Sequence, residues 1–239
     1  MSPEDRIKSF EIMFGIRLKL DGVAPEDTKQ ARIMAGKVLD QFDRNLLLSP
    51  TDPTSLLSML RCVPCSFLKK RKCLDEIVVV NDLKMGGFSC GGLAYYQGPK
   101  KPKKVFLNWS TPGGWRKNAF FHEIYHMIDF CDDNVNDPHD KEWKALHGPG
   151  FRYNDETLPR VNKAVSLDAR KGVAPAGFAC SYGMTNVRED KACLMAHWMT
   201  MKRDLVARNE PVLMKKVKIL ENELRNFDPA FQRVFLEYK

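Results

Sequence analysis

The sequence predicts one α+β domain in which a small sheet lies between two helical regions. Strand-like runs, rich in β-branched and aromatic residues, are concentrated in residues 76–109, and helical spacing of apolar residues dominates on both sides. The 239 residues are enough for one domain with its own core. We therefore predict a single domain, 1–239, with a mostly helical N-terminal part (1–75), a central core (76–206) and C-terminal helices (207–239).

The N-terminal part is predicted from three local patterns. Residues 10–20 alternate loosely between apolar and polar, which predicts a strand. Pro25 and the acidic residues after it mark a helix start, and apolar residues at helical spacing follow as far as Phe42. The two prolines of residues 49–53 end that helix, and a short helix is expected at 56–60.

The centre of the chain is predicted to hold three strands, at residues 76–80, 91–96 and 104–109, with a polar turn between the last two. After residues 111–114 the apolar spacing becomes helical, so a helix should follow the sheet directly.

The remainder is predicted to be irregular and then helical. Residues 131–183 are rich in Asp, Pro, Gly and Asn, with one short helix expected around Trp143. Three more helices are expected at 188–206, 211–226 and 228–237, and Pro211 begins the second of them.

The composition is that of an ordinary globular protein, with 44% hydrophobic and 28% charged residues. No run of about 18 apolar residues occurs and no signal-peptide core is seen, so we predict neither a membrane span nor a signal peptide. Seven cysteines are an odd number in such a chain. They favour reduced thiols and a cytoplasmic location, or action inside a host cell after delivery.

Two basic runs, at residues 69–72 and 100–104, account for much of the net charge of +8. A nucleic-acid patch or a nuclear import signal would be the functional interpretation. Neither run has the interleaved aromatic residues that stack on bases, so we interpret both as solvated loops and expect no nucleic acid as a partner.

The predicted helix after the sheet carries His122-Glu123-Ile124-Tyr125-His126, an H-E-x-x-H motif. Residues four apart lie on one helix face, so two neutral imidazoles can share a zinc ion, and the adjacent carboxylate can hold a water molecule. With five histidines in the chain, chance would produce this pattern in roughly 1% of such sequences. We therefore predict a zinc centre with ligands His122 and His126 and general base Glu123. A third protein ligand is still required to complete this centre.

Three residues could be the third ligand. Asp132 has the metzincin spacing, but Asp129 occupies the position where that pattern turns at a glycine. His147 lies in an H-G-x-x-F segment that resembles the Spartan-like proteases. Glu189 opens a predicted helix whose face of small residues would let another helix approach closely.

A second motif carries a family resemblance. Ser181-Tyr182-Gly183-Met184-Thr185-Asn186-Val187-Arg188-Glu189, taken with H-E-x-x-H, resembles the anthrax lethal factor-like zinc metallopeptidases, which include the Pro-Pro endopeptidases. The stretch from Trp143 to Tyr153 and the Glu-Asp-x-Ala of residues 189–192 resemble a broader set of zinc peptidases. The resemblance covers roughly residues 90–200. Position 193 departs from it, since the family often has an acid where this chain has Cys193.

The resemblance implies a zincin-like fold of the gluzincin type and a zinc-dependent endopeptidase activity. It makes Glu189 the third Zn²⁺ ligand and directs the Tyr182 hydroxyl at the reacting group, while Asp190 or Asp129 could substitute for the acid missing at position 193. A protein or peptide substrate is expected to lie extended along an edge of the 91–109 strand pair, where two glycines leave room.

Two functional alternatives remain. One is a Spartan-like zinc protease with His147 as the third ligand. The other is a weakly active or inactive metallopeptidase fold used as a binding or toxin-like effector module. Separately, a second, structural zinc site is an open possibility at four cysteines, since a C-x-x-C pair opens many such sites: Cys62, Cys65, Cys73 and Cys90.

Overall fold

The computed structural model describes most of the chain, in two compact units: Met1–Cys131 with Arg233–Lys239, and Asp132–Gln232. The described residues are 3–23, 33–34, 38–69, 72–85, 88–98, 101–132, 138–154 and 174–236. The predicted boundaries within a single domain stay a prediction.

The first unit is built on a four-stranded sheet. Its strands are β1 (Arg17–Lys19), β3 (Glu76–Val80), β6 (Gly92–Tyr95) and β7 (Lys104–Asn108), in the spatial order β1-β3-β7-β6. β1, β3 and β7 are parallel, and β6 is antiparallel to β7. Every residue of β3 and β7 is buried, which explains why both read as continuous apolar runs in the sequence.

Short helices and a small second sheet complete the N-terminal part of this unit. The helices are α1 (Pro3–Phe14), α2 (Gln41–Leu47), α3 (Leu56–Arg61) and α4 (Cys65–Lys69). The second sheet has the order β2-β4-β5, with β2 at Ile33–Met34, β4 at Lys84–Met85 and β5 at Phe88–Ser89.

The long helix α5 (Gly113–Asp132) follows β7 directly. The two are joined by a tight turn in which the Thr111 N–H donates to the Asn108 carbonyl. A disulfide between Cys73 and Cys131 ties the far end of α5 to the segment before β3. The helix that carries H-E-x-x-H is therefore held at both ends.

The second unit is helical. It contains α6 (Pro138–Ala145), a 3₁₀ turn at Ser181–Met184, α7 (Val187–Ala207) and α8 (Pro211–Phe227). α7 departs from helical geometry at Met201, and α8 begins with proline at its first position. The last described helix is α9 (Phe231–Leu236).

Most of the predicted elements are confirmed, including the three central strands, the H-E-x-x-H helix, the short helix around Trp143 and the C-terminal helices. The strand predicted at 10–20 is wrong over its first half, because Phe10 and Phe14 are a buried i, i+4 pair of helix α1 with ring centroids 5.0 Å apart. Ile12 is 71% exposed, so the alternation there does not define a buried strand face. The helix predicted to run from Pro25 lies mostly outside the described residues, and Ile33–Met34 within it is a strand.

Two composition-based expectations also change. Cys73 and Cys131 are paired, so the prediction of reduced thiols is wrong for these two residues. Lys104, in the second basic run, is buried in β7, and its ammonium group lies 3.5 Å from the buried Glu76 carboxylate, so it is not part of a solvated loop. Among the helices that the structure describes, none is long and apolar enough to cross a bilayer.

Candidate metal centre

His122 and His126 lie side by side on α5. Their Nε2 atoms are 3.1 Å apart, and their rings meet edge to face with centroids 4.8 Å apart. His126 also stacks on Phe130 at a centroid distance of 6.3 Å. Both histidines are half-buried, while Tyr125 between them points into the core. The i, i+4 spacing of the motif therefore produces the expected pair of nitrogens on one face.

Glu123 is buried and points towards strand β6. Its Oε2 accepts a hydrogen bond of 2.7 Å from the Ala94 N–H. A Cβ at Gly92 would lie 2.7 Å from Glu123 Cγ, and one at Gly91 would lie 3.0 Å from Ala119 Cβ. The two glycines thus admit side chains of α5 close to the strand, which is a more specific role than the general close approach predicted from the sequence.

Among the strands that the structure describes, β6 is at one edge of the four-stranded sheet. β7 is paired on both sides, by β3 and β6, so of the two predicted edge candidates only β6 is at the end of the strand order. Asn108 N donates to the Gly91 carbonyl. Because the direction of main-chain groups alternates along an antiparallel strand, the N–H and C=O groups of Gly92 and Ala94 face away from β7.

Glu189 lies in the first turn of α7 and is half-buried. Asn186 caps this helix, and its side-chain oxygen accepts a 2.9 Å hydrogen bond from the Glu189 N–H. Among the described residues, His122, His126 and Glu189 are the group that could hold a metal ion, since each offers one ligand atom and these atoms lie within 4.8 Å of one another.

Tyr182 lies in the 3₁₀ turn that precedes α7 and is half-buried. The segment before the turn is held by side chains from the short connection between α7 and α8. Glu210 Oε2 accepts from the Gly177 N–H at 2.6 Å, and Arg208 donates to the Ala179 carbonyl. Burial alone would raise the pKa of Glu210, but the hydrogen bond from Gly177 and the charge of Arg208 outweigh it and lower that pKa.

His147 lies in an aromatic enclosure of the second unit. Its ring is stacked between Phe151 and Phe178, with centroid distances of 4.1 and 4.5 Å, and its side chain is 6% exposed. Its Nε2 lies 3.7 Å from the buried Asp190 carboxylate. His147 is not a member of the metal-binding group found among the described residues.

The other predicted candidate, Asp132, ends α5. The helix continues through Asp129, so the chain does not make the turn at that position that a metzincin arrangement requires. The Asp132 side chain lies outside the described residues.

The cysteines do not assemble a second site within the described part of the chain. Cys73 is in the disulfide. The Cys62 thiol donates to the Ser58 carbonyl, and the Cys90 thiol donates to the Leu83 carbonyl. The other close pair is Cys180 and Cys193, with sulfur atoms 3.0 Å apart. Burial, followed by the neighbouring Cys180 thiol, raises the pKa of Cys193.

Two contributors to the site had not been predicted. Ala94 acts through its main chain, which leaves no mark on residue type. Asn186 did have a signal, because an N-cap residue followed three positions later by Glu is the spacing of a capping box.

The fold is similar to that of a putative zinc-binding metallo-peptidase from Bacteroides caccae. The two structures share 15% sequence identity with a TM-score of 0.54, over 98% of this chain and 90% of that one. The chain has a metallopeptidase-like fold. No protein-family model matches the sequence, and no curated protein matches it.

Proposed function

We propose that this protein is a zinc-dependent endopeptidase of the gluzincin type, related to the anthrax lethal factor-like group. The observation that carries the proposal is the grouping of His122, His126 and Glu189, with the Glu123 carboxylate next to the first of them in sequence. The description of the Bacteroides caccae protein as zinc-binding and as a metallo-peptidase supports the same chemistry.

The donor atoms suit zinc. Two imidazole nitrogens and one carboxylate oxygen are the protein ligands of many catalytic zinc sites, which leave one position open. The 3.1 Å between the two Nε2 atoms is close to the roughly 3.3 Å that separates two nitrogen ligands of a tetrahedral zinc ion with bonds of about 2.0 Å. Ligand type alone also accommodates other divalent metals, so the metal is part of the proposal.

The residues around the centre have distinct proposed roles. A bound zinc ion would supply a Lewis acid that makes water acidic enough to ionise near neutral pH. Glu123 accepts the proton of the attacking water and delivers it to the leaving amine. The Ala94 N–H, 2.7 Å from Glu123 Oε2, orients this carboxylate before the substrate binds. Tyr182 donates a hydrogen bond to the oxygen of the attacked carbonyl.

The proposed substrate is a protein or peptide that binds in an extended form along β6. The outward main-chain groups of Gly92 and the Ala94 carbonyl are suited to pair with a further strand, while the Ala94 N–H donates to Glu123. This mode supplies affinity from the backbone of the substrate, while side-chain pockets set its cleavage specificity.

The test is a digest of a mixed peptide library by the purified protein, with zinc content measured on the same samples. Glu123→Gln should retain zinc and lose hydrolysis, whereas Glu189→Ala should lose zinc. Glu142→Gln, an exposed carboxylate on α6, is the matched control and should leave both unchanged. Equal hydrolysis by Glu123→Gln and the wild type would refute the mechanism.

Two other outcomes would select the alternatives. Zinc lost in His147→Ala but retained in Glu189→Ala would favour the Spartan-like ligand set. Zinc bound by the wild type without cleavage of any library peptide would favour a binding or effector module.

A further inference from the structure

A buried carboxylate lies directly beside Glu189 in α7. Asp190 is 1% exposed, and its Oδ2 accepts three hydrogen bonds. They come from Trp143 Nε1 at 2.7 Å, the Tyr153 hydroxyl at 2.7 Å and Lys216 Nζ at 2.6 Å. The donors belong to α6, to the segment after α6 and to α8, so one side chain joins three parts of the second unit.

The ammonium group in this network makes a second hydrogen bond. Lys216 is 0% exposed, and its Nζ donates to the Gly177 carbonyl at 2.7 Å in addition to Asp190. A buried ion pair of this kind is costly to desolvate, and a well-packed apolar pair would often serve stability as well. The charged pair additionally fixes the orientation of the Asp190 carboxylate, because charge-assisted hydrogen bonds are short and require a specific geometry.

The turn that carries Tyr182 packs on the same carboxylate. A Cβ at Gly183 would lie 3.3 Å from both Cα and Oδ1 of Asp190, so the turn is in van der Waals contact with it. The Asp190 N–H donates to the Asn186 carbonyl at 3.0 Å, which makes Asp190 part of the same helix start that Asn186 caps. Asp190 therefore contacts both halves of the segment from Tyr182 to Glu189.

A second ion pair joins the same two helices one position further along. Lys191 lies 3.0 Å from Glu223 and 3.1 Å from Asp140. This pair is also buried, with Lys191 1% and Glu223 9% exposed. Lys191 follows Asp190 directly in α7, so its side chain leaves the helix on a different side. Substitution of this second pair therefore measures how much zinc binding depends on the general packing between α7 and α8.

We propose that Asp190 is a positioning residue for the Glu189 carboxylate. Its three hydrogen bonds fix the rotation of the first turn of α7 about the helix axis, and this rotation sets the direction of the neighbouring Glu189 side chain. The inference rests on the proposed function, in which Glu189 is a metal ligand.

The experiment compares Asp190→Asn with Glu223→Gln in the full chain. Zinc affinity is measured by competition with a chelating dye, the cobalt-substituted proteins are compared by their visible absorption, and stability is measured by urea unfolding. Asp190→Asn should weaken zinc binding by about 10–100-fold and change the cobalt spectrum. Glu223→Gln should be destabilised as well, but should keep wild-type zinc affinity and the wild-type cobalt spectrum.

A milder variant keeps the test valid if Asp190→Asn does not fold. Trp143→Phe removes one of the three donors and preserves an aromatic ring, and it should weaken zinc binding about 3-fold or more while the protein stays folded. Wild-type zinc affinity and an unchanged cobalt spectrum in the folded variants would overturn the inference and leave the proposed function intact. Failure of Glu189→Ala to reduce zinc binding would instead overturn the ligand assignment, and this inference with it.

Discussion

Gly92→Ala tests the proposed site directly without replacing a proposed ligand or the proposed base. The added methyl group would lie 2.7 Å from Glu123 Cγ and 3.2 Å from the Phe106 carbonyl oxygen. Carbon atoms in contact are normally about 3.5–4.0 Å apart, so the Glu123 side chain or β6 must move by about 1 Å. Glu123 cannot keep both its rotamer and its 2.7 Å bond to the Ala94 N–H after such a shift.

The expected result is a large loss of hydrolysis with a modest loss of stability. A displacement of about 1 Å at a catalytic group can cost about 100-fold in rate, so kcat/KM should fall by about that factor. Overpacking of this kind typically costs about 1–3 kcal/mol in the free energy of unfolding. Zinc content should not change, because the three nearest contacts of the added methyl group are with Glu123 and the Phe106 carbonyl oxygen.

Gly114→Ala is the matched control for this prediction. Gly114 also belongs to the first unit, but a Cβ there meets nothing within 4 Å. In α5 this substitution should stabilise the protein by up to about 1 kcal/mol and leave hydrolysis unchanged. The measurements are kcat/KM on a cleaved library peptide, urea unfolding and zinc content. Wild-type kcat/KM in Gly92→Ala, alongside an inactive Glu123→Gln, would refute the placement of Glu123 against β6.

Three further predictions address stability. Asn186→Ala should lower the free energy of unfolding by about 1 kcal/mol through loss of the α7 cap, whereas Asn186→Asp should retain it, as measured in urea. Hydrogen bonding and Arg208 lower the pKa of Glu210 on folding. The wild type should therefore be more stable than Glu210→Gln at pH 7, and this difference should disappear as the pH falls below about 4. A difference that grows in acid would contradict this. Cys73→Ser should destabilise the oxidised protein by up to about 4 kcal/mol, because the disulfide closes a loop with a 58-residue separation between Cys73 and Cys131. The substitution should have no such effect under reducing conditions.

The sequence predicted the fold best where burial imposes a simple pattern. β3 and β7 are buried on both faces, and each contains an uninterrupted apolar run, Ile77–Val80 and Val105–Leu107, which is the pattern expected of such strands. The error in α1 has the opposite origin. Ile12 fits an alternating pattern but is exposed, and only the Phe10–Phe14 contact shows that the helical period applies.

The site was predictable to the extent that its parts are local. His122, Glu123 and His126 are close in sequence, and Asn186 with Glu189 forms one local cap. Contacts between residues far apart in the sequence could not be predicted in this way. Glu123 and Ala94 are 29 residues apart, Cys73 and Cys131 are 58 apart, and the donors to Asp190 come from positions 26 to 47 residues away. None of these pairings has a spacing that composition or periodicity encodes.

Position 193 lies one helical turn after Glu189, the proposed metal ligand. The sequence resemblance predicts an acid there, with Asp190 or Asp129 as its substitute. Asp190 instead accepts three hydrogen bonds within its own unit, and Cys193 is a buried thiol whose pKa is raised, so it remains protonated at neutral pH. A second carboxylate one turn from Glu189 would favour protonation of one of the two acids. A neutral thiol at this position adds no negative charge beside the Glu189 carboxylate.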